Sequence, residues 1–158
     1  MDFGGREAIE DALKAVATQL EIRGQGHFEL VVIGGAALIV LGLLDRPTRD
    51  VDVLAVGEAD DDGGVVFVKS DPLPDALSDA AAAAARDFGL EPSWLNSGPA
   101  DLLDHGLPPG FFGRMTSVRY GPRLVVHVPA REDLVPLKVY AAADSGVGRH
   151  TGDLAALA

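Results

Sequence analysis

Two aspartates one residue apart, Asp50 and Asp52, are the residues whose type and spacing point most directly to chemistry. On a strand, residues two apart face the same way, so both carboxylates lie together while Val51 and Val53 turn to the core. Two carboxylates side by side are costly unless something positive sits between them. A divalent cation is the usual solution, and Mg²⁺ is commonly held by one or two carboxylates plus the phosphates of a substrate. Upstream, Gly34-Gly35 separates a β-branched run from an apolar one. Bare glycine backbone at the amino end of a helix lets a phosphate approach N–H groups and the positive end of the helix dipole. By itself such a pair reads first as a tight strand-to-helix turn.

These residues need elements to hold them. Ala8, Ile9, Ala12, Leu13, Val16 and Leu20 recur at three- and four-residue intervals, which predicts an amphipathic helix over 6–22, ended by Gly24 and Gly26. Phe28 to Ile33 predicts a buried strand, and Ala36 to Leu44, apolar all round, a buried helix stopped by Pro47. Asp50 to Val56 alternates acid and aliphatic residues, which predicts a strand followed by a loop from Gly57 to Gly64. The Asp60-Asp61-Asp62 run in that loop reads as solvated, because consecutive side chains do not converge on one ion. Val65 to Lys69 predicts a further strand, and Asp75 to Phe88 an alanine-rich helix closed by Gly89. Pro92 to Gly113 reads as an ordered connection pinned by Trp94, Leu95, Phe111 and Phe112. Met115 to Tyr120 and Arg123 to Val128 predict a hairpin around Gly121-Pro122, Arg131 to Ala143 a helix, and Asp153 to Ala158 a last helical segment.

Composition narrows the function classes. The 158 residues suit one compact domain with a real core. With no cysteine, disulfides, thiolate metal sites and a cysteine nucleophile are excluded. A formal net charge of −11 is the reverse of the basic footprint that extended DNA binding needs, whereas a brief contact with an RNA end or with a metal-chelated nucleotide fits, since carboxylates recruit the cation. The amino terminus lacks a basic-then-apolar signal, and no apolar run approaches the roughly 20 residues of a membrane span, so a soluble cytoplasmic protein is expected.

The succession Gly34-Gly35, apolar helix, Arg46-Pro47-Thr48-Arg49-Asp50-Val51-Asp52 resembles the nucleotidyltransferase superfamily. Its Arg-x-Thr/Ser-x-Asp-x-Asp form is similar to the bacterial minimal nucleotidyltransferases and the transferase toxins of toxin–antitoxin systems. The likeness continues through Trp94-Leu95-Asn96, Arg131-Glu132-Asp133-Leu134, Leu137-Lys138, Ala141 to Asp144 and His150 to Leu154, in the order found in DUF6036-like bacterial proteins.

The resemblance implies an α+β (α/β) nucleotidyltransferase fold of the polymerase β-like kind, a mixed central sheet flanked by helices, in one domain over 1–158. Similar proteins continue the helix that stops here at Ala158, so truncation at the carboxyl end is expected. Carried over residue by residue, Asp50 and Asp52 hold Mg²⁺ or Mn²⁺, Gly34 and Gly35 meet the phosphates, and Thr48 donates a hydroxyl beside them. Lys138 neutralises triphosphate charge and Asp153 is the third acid. Against these roles, a helix lysine is commonly solvated, and Asp133 and Asp153 also suit helix amino ends. One departure stands out: the third catalytic carboxylate that many superfamily enzymes place on a neighbouring strand is missing from Arg123 to Val128, where His127 stands instead. A lone strand histidine reads first as a hydrogen-bonded structural residue, and His150, in a polar segment between Asp144 and Asp153, is the better histidine for site chemistry.

The implied activity is Mg²⁺-dependent transfer of a nucleoside monophosphate from ATP or another nucleoside triphosphate to a hydroxyl acceptor, a tRNA or other RNA end or a protein side chain. A place in a toxin–antitoxin system, with a cognate antitoxin as partner, belongs to the same implication. Two other readings stay open: a catalytically silent nucleotide- or partner-binding module of the same fold, and a metal-dependent phosphohydrolase using the same carboxylates with water as nucleophile.

Overall fold

The computed structural model of the chain describes residues 5–24, 26–44, 48–59 and 61–134. Helix α1 (Arg6–Arg23) buries Ile9, Ala12, Leu13, Val16, Ala17 and Leu20 on one face, as the three-and-four spacing requires. Gly24 ends it in the left-handed conformation, φ 61°, and donates its N–H to the last carbonyls. Strand β1 (Phe28–Ile33) follows, then α2 (Gly34–Val40). This second helix starts on the glycines themselves, two residues ahead of the apolar pattern. It stops at Val40 rather than Leu44, because Gly42 turns the backbone left-handed at φ 75°.

Strand β2 (Val51–Ala59) runs three residues past its expected end at Val56. The extension is a pairing effect: β3 (Val65–Val68) folds back on it, matching Val56 with Val68 and Gly57 with Phe67, so residues with no strand signal of their own are recruited. Helix α3 (Asp75–Phe88) buries Leu77 and five alanines, and the short side chains let it lie close against α1. The expected connection is ordered: β4 (Leu95–Asn96) and two 3₁₀ helices, Gly98–His105 and Phe111–Arg114, occupy it. Trp94 is fully buried with its indole N–H on the Ala81 carbonyl at 2.9 Å, and Phe111 is buried as well, while Phe112 stays exposed. Strands β5 (Thr116–Gly121) and β6 (Leu124–Val128) form the predicted hairpin. The chain is helical again from Arg131 to Leu134, and the rest of the helix predicted to Ala143 lies outside the described residues.

The six strands make one sheet in the order β3-β2-β1-β6-β5, with β4 also on β2. β1 is parallel to β6 and antiparallel to β2, so the sheet is mixed, and the architecture is α+β. Val31 and Val32 point to opposite faces and both are buried, so the centre of the sheet is covered on both sides. No helix of the described residues is long and apolar enough to cross a membrane.

Candidate functional site

Three strands bring the candidate residues together. Antiparallel pairing sets Ile33, the last residue of β1, opposite Asp52, so the second aspartate lies beside the glycine turn 18 positions upstream. Parallel pairing of β2 with β4 sets Asn96 on the other flank of Asp52.

The contact with the turn is close. Gly34 adopts φ 78°, and a Cβ built on it would stand 2.6 Å from Asp52 Oδ2, so both the backbone conformation and the space exclude a side chain. On its other oxygen Asp52 accepts a hydrogen bond of 3.1 Å from Asn96 Nδ2. Asn96 is itself held, its Oδ1 accepting the Gly98 N–H at 2.9 Å, which settles which end of the amide faces the carboxylate. Gly34 and Gly35 are both buried at the start of α2.

Asp50 falls just outside β2, which begins at Val51, and is half-buried. Thr48 is buried, with its hydroxyl 3.5 Å from the Asp50 carbonyl oxygen, so in this structure it ties the turn ahead of β2. Val51 and Val53 face the core as expected, at 0% and 1% exposure. Lys138, Asp153, Asp144 and His150 lie outside the described residues.

A bulge changes which residues share a face with Asp52. The register of β1 against β2 shifts between Val31 and Val32, so that Val31 pairs with Ala55 while Val32 pairs with Val53. Leu54 is the unmatched residue. Beyond it Ala55 and Gly57, not Leu54 and Val56, lie on the Asp52 side. Glu29 and Val31 on β1 and His127 on β6 share that side through their own pairings. His127 carries hydrogen bonds on both ring nitrogens, as the structural reading of a strand histidine anticipates.

Two charged groups away from the turn are structural. Asp133 is almost fully buried and grips the Arg114 guanidinium with both carboxylate oxygens, one contact at 2.9 Å, which locks the start of the helix at Arg131 to the second 3₁₀ helix. Lys69 bridges Asp101 at 2.6 Å and Asp104 at 2.9 Å. Hydrogen bonds to Asp101 and then Asp104 raise its pKa, and the same bond lowers that of Asp101, but the groups are exposed and the pairing ties a strand to a 3₁₀ helix without adding to the site.

Asn96 is the participant that residue types alone did not single out. It came only as part of Trp94-Leu95-Asn96, because a two-residue strand is too short to leave a periodic signal. As for metal, Asp50 and Asp52 offer hard oxygen donors, and Asp52 Oδ2 lies beside the bare Cα of Gly34. Among the described residues no three His, Cys, Asp or Glu gather as a metal-holding group.

Compared with family models, residues 11–147 match the one described as a nucleotidyltransferase of unknown function (DUF6036). No curated protein and no solved structure matches.

Proposed function

Because the chain belongs to this nucleotidyltransferase family, we propose that it transfers a nucleoside monophosphate from a nucleoside triphosphate to a hydroxyl acceptor on a sheet of the polymerase β-like kind. The observation that carries the reading is the carboxylate of Asp52 pressed against the Gly34 Cα. A catalytic carboxylate and a phosphate-binding turn must sit within one ligand's reach, and here a glycine with φ 78° admits the carboxylate where any side chain would collide with it.

In this reading Asp50 and Asp52 hold Mg²⁺ or Mn²⁺, with triphosphate oxygens and water filling the remaining positions, since two carboxylates suit a cation that keeps most of its sphere for substrate. The ion, when bound, offsets charge on the phosphates and on the departing pyrophosphate. Asn96 keeps the Asp52 carboxylate from rotating by holding one oxygen, so the other stays directed to the turn. Gly34 and Gly35 let the phosphates approach backbone, and Thr48 keeps Asp50 in place at the entrance of β2. Lys138 and Asp153 keep the roles the family likeness gives them, charge neutralisation and third acid.

The test is incubation with each α-³²P-labelled nucleoside triphosphate and Mg²⁺, with total RNA or lysate protein as acceptor, for wild type and Asp50→Ala/Asp52→Ala. Label passed to a macromolecule by wild type alone is the expected result. Saturable nucleotide binding with no transfer would replace this reading with a silent binding module. Release of nucleotide with no labelled acceptor would instead identify a phosphohydrolase.

A further inference from the structure

Away from the glycine turn, His127 on β6 joins two side chains into a line. Its Nε2 lies 2.7 Å from Glu29 Oε1 and its Nδ1 2.6 Å from Ser117 Oγ. The imidazole and the Glu29 side chain are 12% and 17% exposed, whereas Ser117 is open to solvent. An ionised carboxylate only accepts, so Nε2 carries the proton toward Glu29. In the neutral imidazole that leaves Nδ1 as an acceptor and Ser117 as the donor. A serine hydroxyl on a neutral imidazole backed by a carboxylate is the arrangement that activates serine as a nucleophile.

Five other hydroxyls among the described residues are differently placed. Thr18, Thr48, Ser70 and Ser78 donate to backbone carbonyls, and Ser97, 8% exposed, donates to Asp71. The His127 ring is also braced by Phe67, edge-on with centroids 5.2 Å apart. Phe67 reaches it across Gly57, where a Cβ would come within 3.0 Å of Glu29 Cβ and 3.4 Å of the Phe67 ring. His27 Nε2 stands 3.6 Å from the other Glu29 oxygen.

We propose that Ser117 is itself an acceptor of the transfer, modified by a second copy of this chain; the proposal rests on the nucleotidyltransferase reading above. Ser117 Oγ attacks the α-phosphorus of a nucleoside triphosphate. The new Ser–O–P bond forms as the bond from the α-phosphorus to the pyrophosphate oxygen breaks. The hydroxyl proton passes to His127 Nδ1, Glu29 holds the resulting imidazolium, and pyrophosphate leaves with the electron pair of the broken bond. The reaction runs between copies because Ser117 on β5 and Asp52 on β2 are three strand spacings apart, about 14 Å. A nucleophile must stand about 3–3.5 Å from the reacting atom.

The experiment mixes untagged wild type with a tagged Asp50→Asn/Asp52→Asn chain, which cannot label itself, in the presence of Mg²⁺, α-³²P-labelled nucleoside triphosphate and total RNA. The tagged chain is expected to acquire one nucleotide at Ser117, mapped by peptide mass. Adding Ser117→Ala to the tagged chain lowers its labelling more than tenfold, Ser117→Thr restores part of it, and His127→Gln slows it by about a hundredfold. Thermal midpoints of the tagged chains confirm that each is folded. Labelled RNA beside an unlabelled tagged chain, or label at another residue, overturns this proposal and leaves the nucleotidyltransferase standing. No label on any acceptor overturns both.

Discussion

Gly34 and Asn96 constrain Asp52 from its two sides, and each constraint predicts a different failure. Gly34→Ala meets the carboxylate at 2.6 Å and forces an L-residue to φ 78°, at a conformational cost of about 1–2 kcal/mol. The larger effect falls on function: displacing Asp52 by about 1 Å costs on the order of a hundredfold in transfer rate, read from initial velocities with circular dichroism unchanged. Asn96→Ala leaves the turn intact and frees one carboxylate oxygen, so with Asp52 as the proposed metal ligand affinity is expected to weaken by about 10–100-fold, measured by Mn²⁺ titration followed by electron paramagnetic resonance. Tyr120 supplies a pH prediction. Burial, with the Glu10 carboxylate a smaller cause, pushes its phenol up to about 12. A pKa raised on folding contributes stability that is complete below the ordinary value near 10 and is lost as pH climbs to about 12. Tyr120→Phe therefore flattens the fall in thermal midpoint over that window.

At the level of elements, β4 is decisive despite having two residues, because Trp94 just before it anchors the connection under α3. Trp94→Ala empties a fully buried indole site and costs about 3–5 kcal/mol, measured as a lower denaturant midpoint. Trp94→Phe keeps much of the volume but removes the indole hydrogen bond to the Ala81 carbonyl, about 0.5–1.5 kcal/mol. Both changes loosen the segment carrying Asn96, so nucleotide-linked stabilisation falls with stability. The elements were largely legible beforehand. Phe28 to Ile33 and Asp75 to Phe88 come out with the predicted limits, since an apolar run between turn residues and a helix bounded by Pro74 and Gly89 leave little choice. The far end of β2 was read as a loop because Gly57 and Glu58 have poor strand propensity, which pairing with β3 overrides.

For the whole molecule, the charge of −11 and the acidic residues of the proposed site lead to the expectation that nucleotide binding depends on a cation. Thermal unfolding tests this by mass action: Mg²⁺ with nucleotide at about 100 times its Kd stabilises by about 2.7 kcal/mol, and nucleotide with a chelator by much less. In Asp50→Asn/Asp52→Asn the ligand-linked gain is expected to disappear, with circular dichroism of the unliganded chain unchanged.

Chain order was enough to mark the glycine turn, the aspartate pair, the succession of strands and helices and the family likeness, because each depends on neighbours within a few residues and on backbone preferences that act locally. The partners of Asp52 had to wait for strands to pair. The approach of Gly34 depends on antiparallel registry, and the hydrogen bond from Asn96 crosses 44 positions of sequence. The face shared with Glu29 and His127 turns on one unmatched residue, Leu54, and a one-residue slip moves every side chain beyond it to the other side of a sheet. No periodic pattern records such a slip, because Leu54, Ala55 and Val56 are all apolar and buried and the run carries no alternation to count.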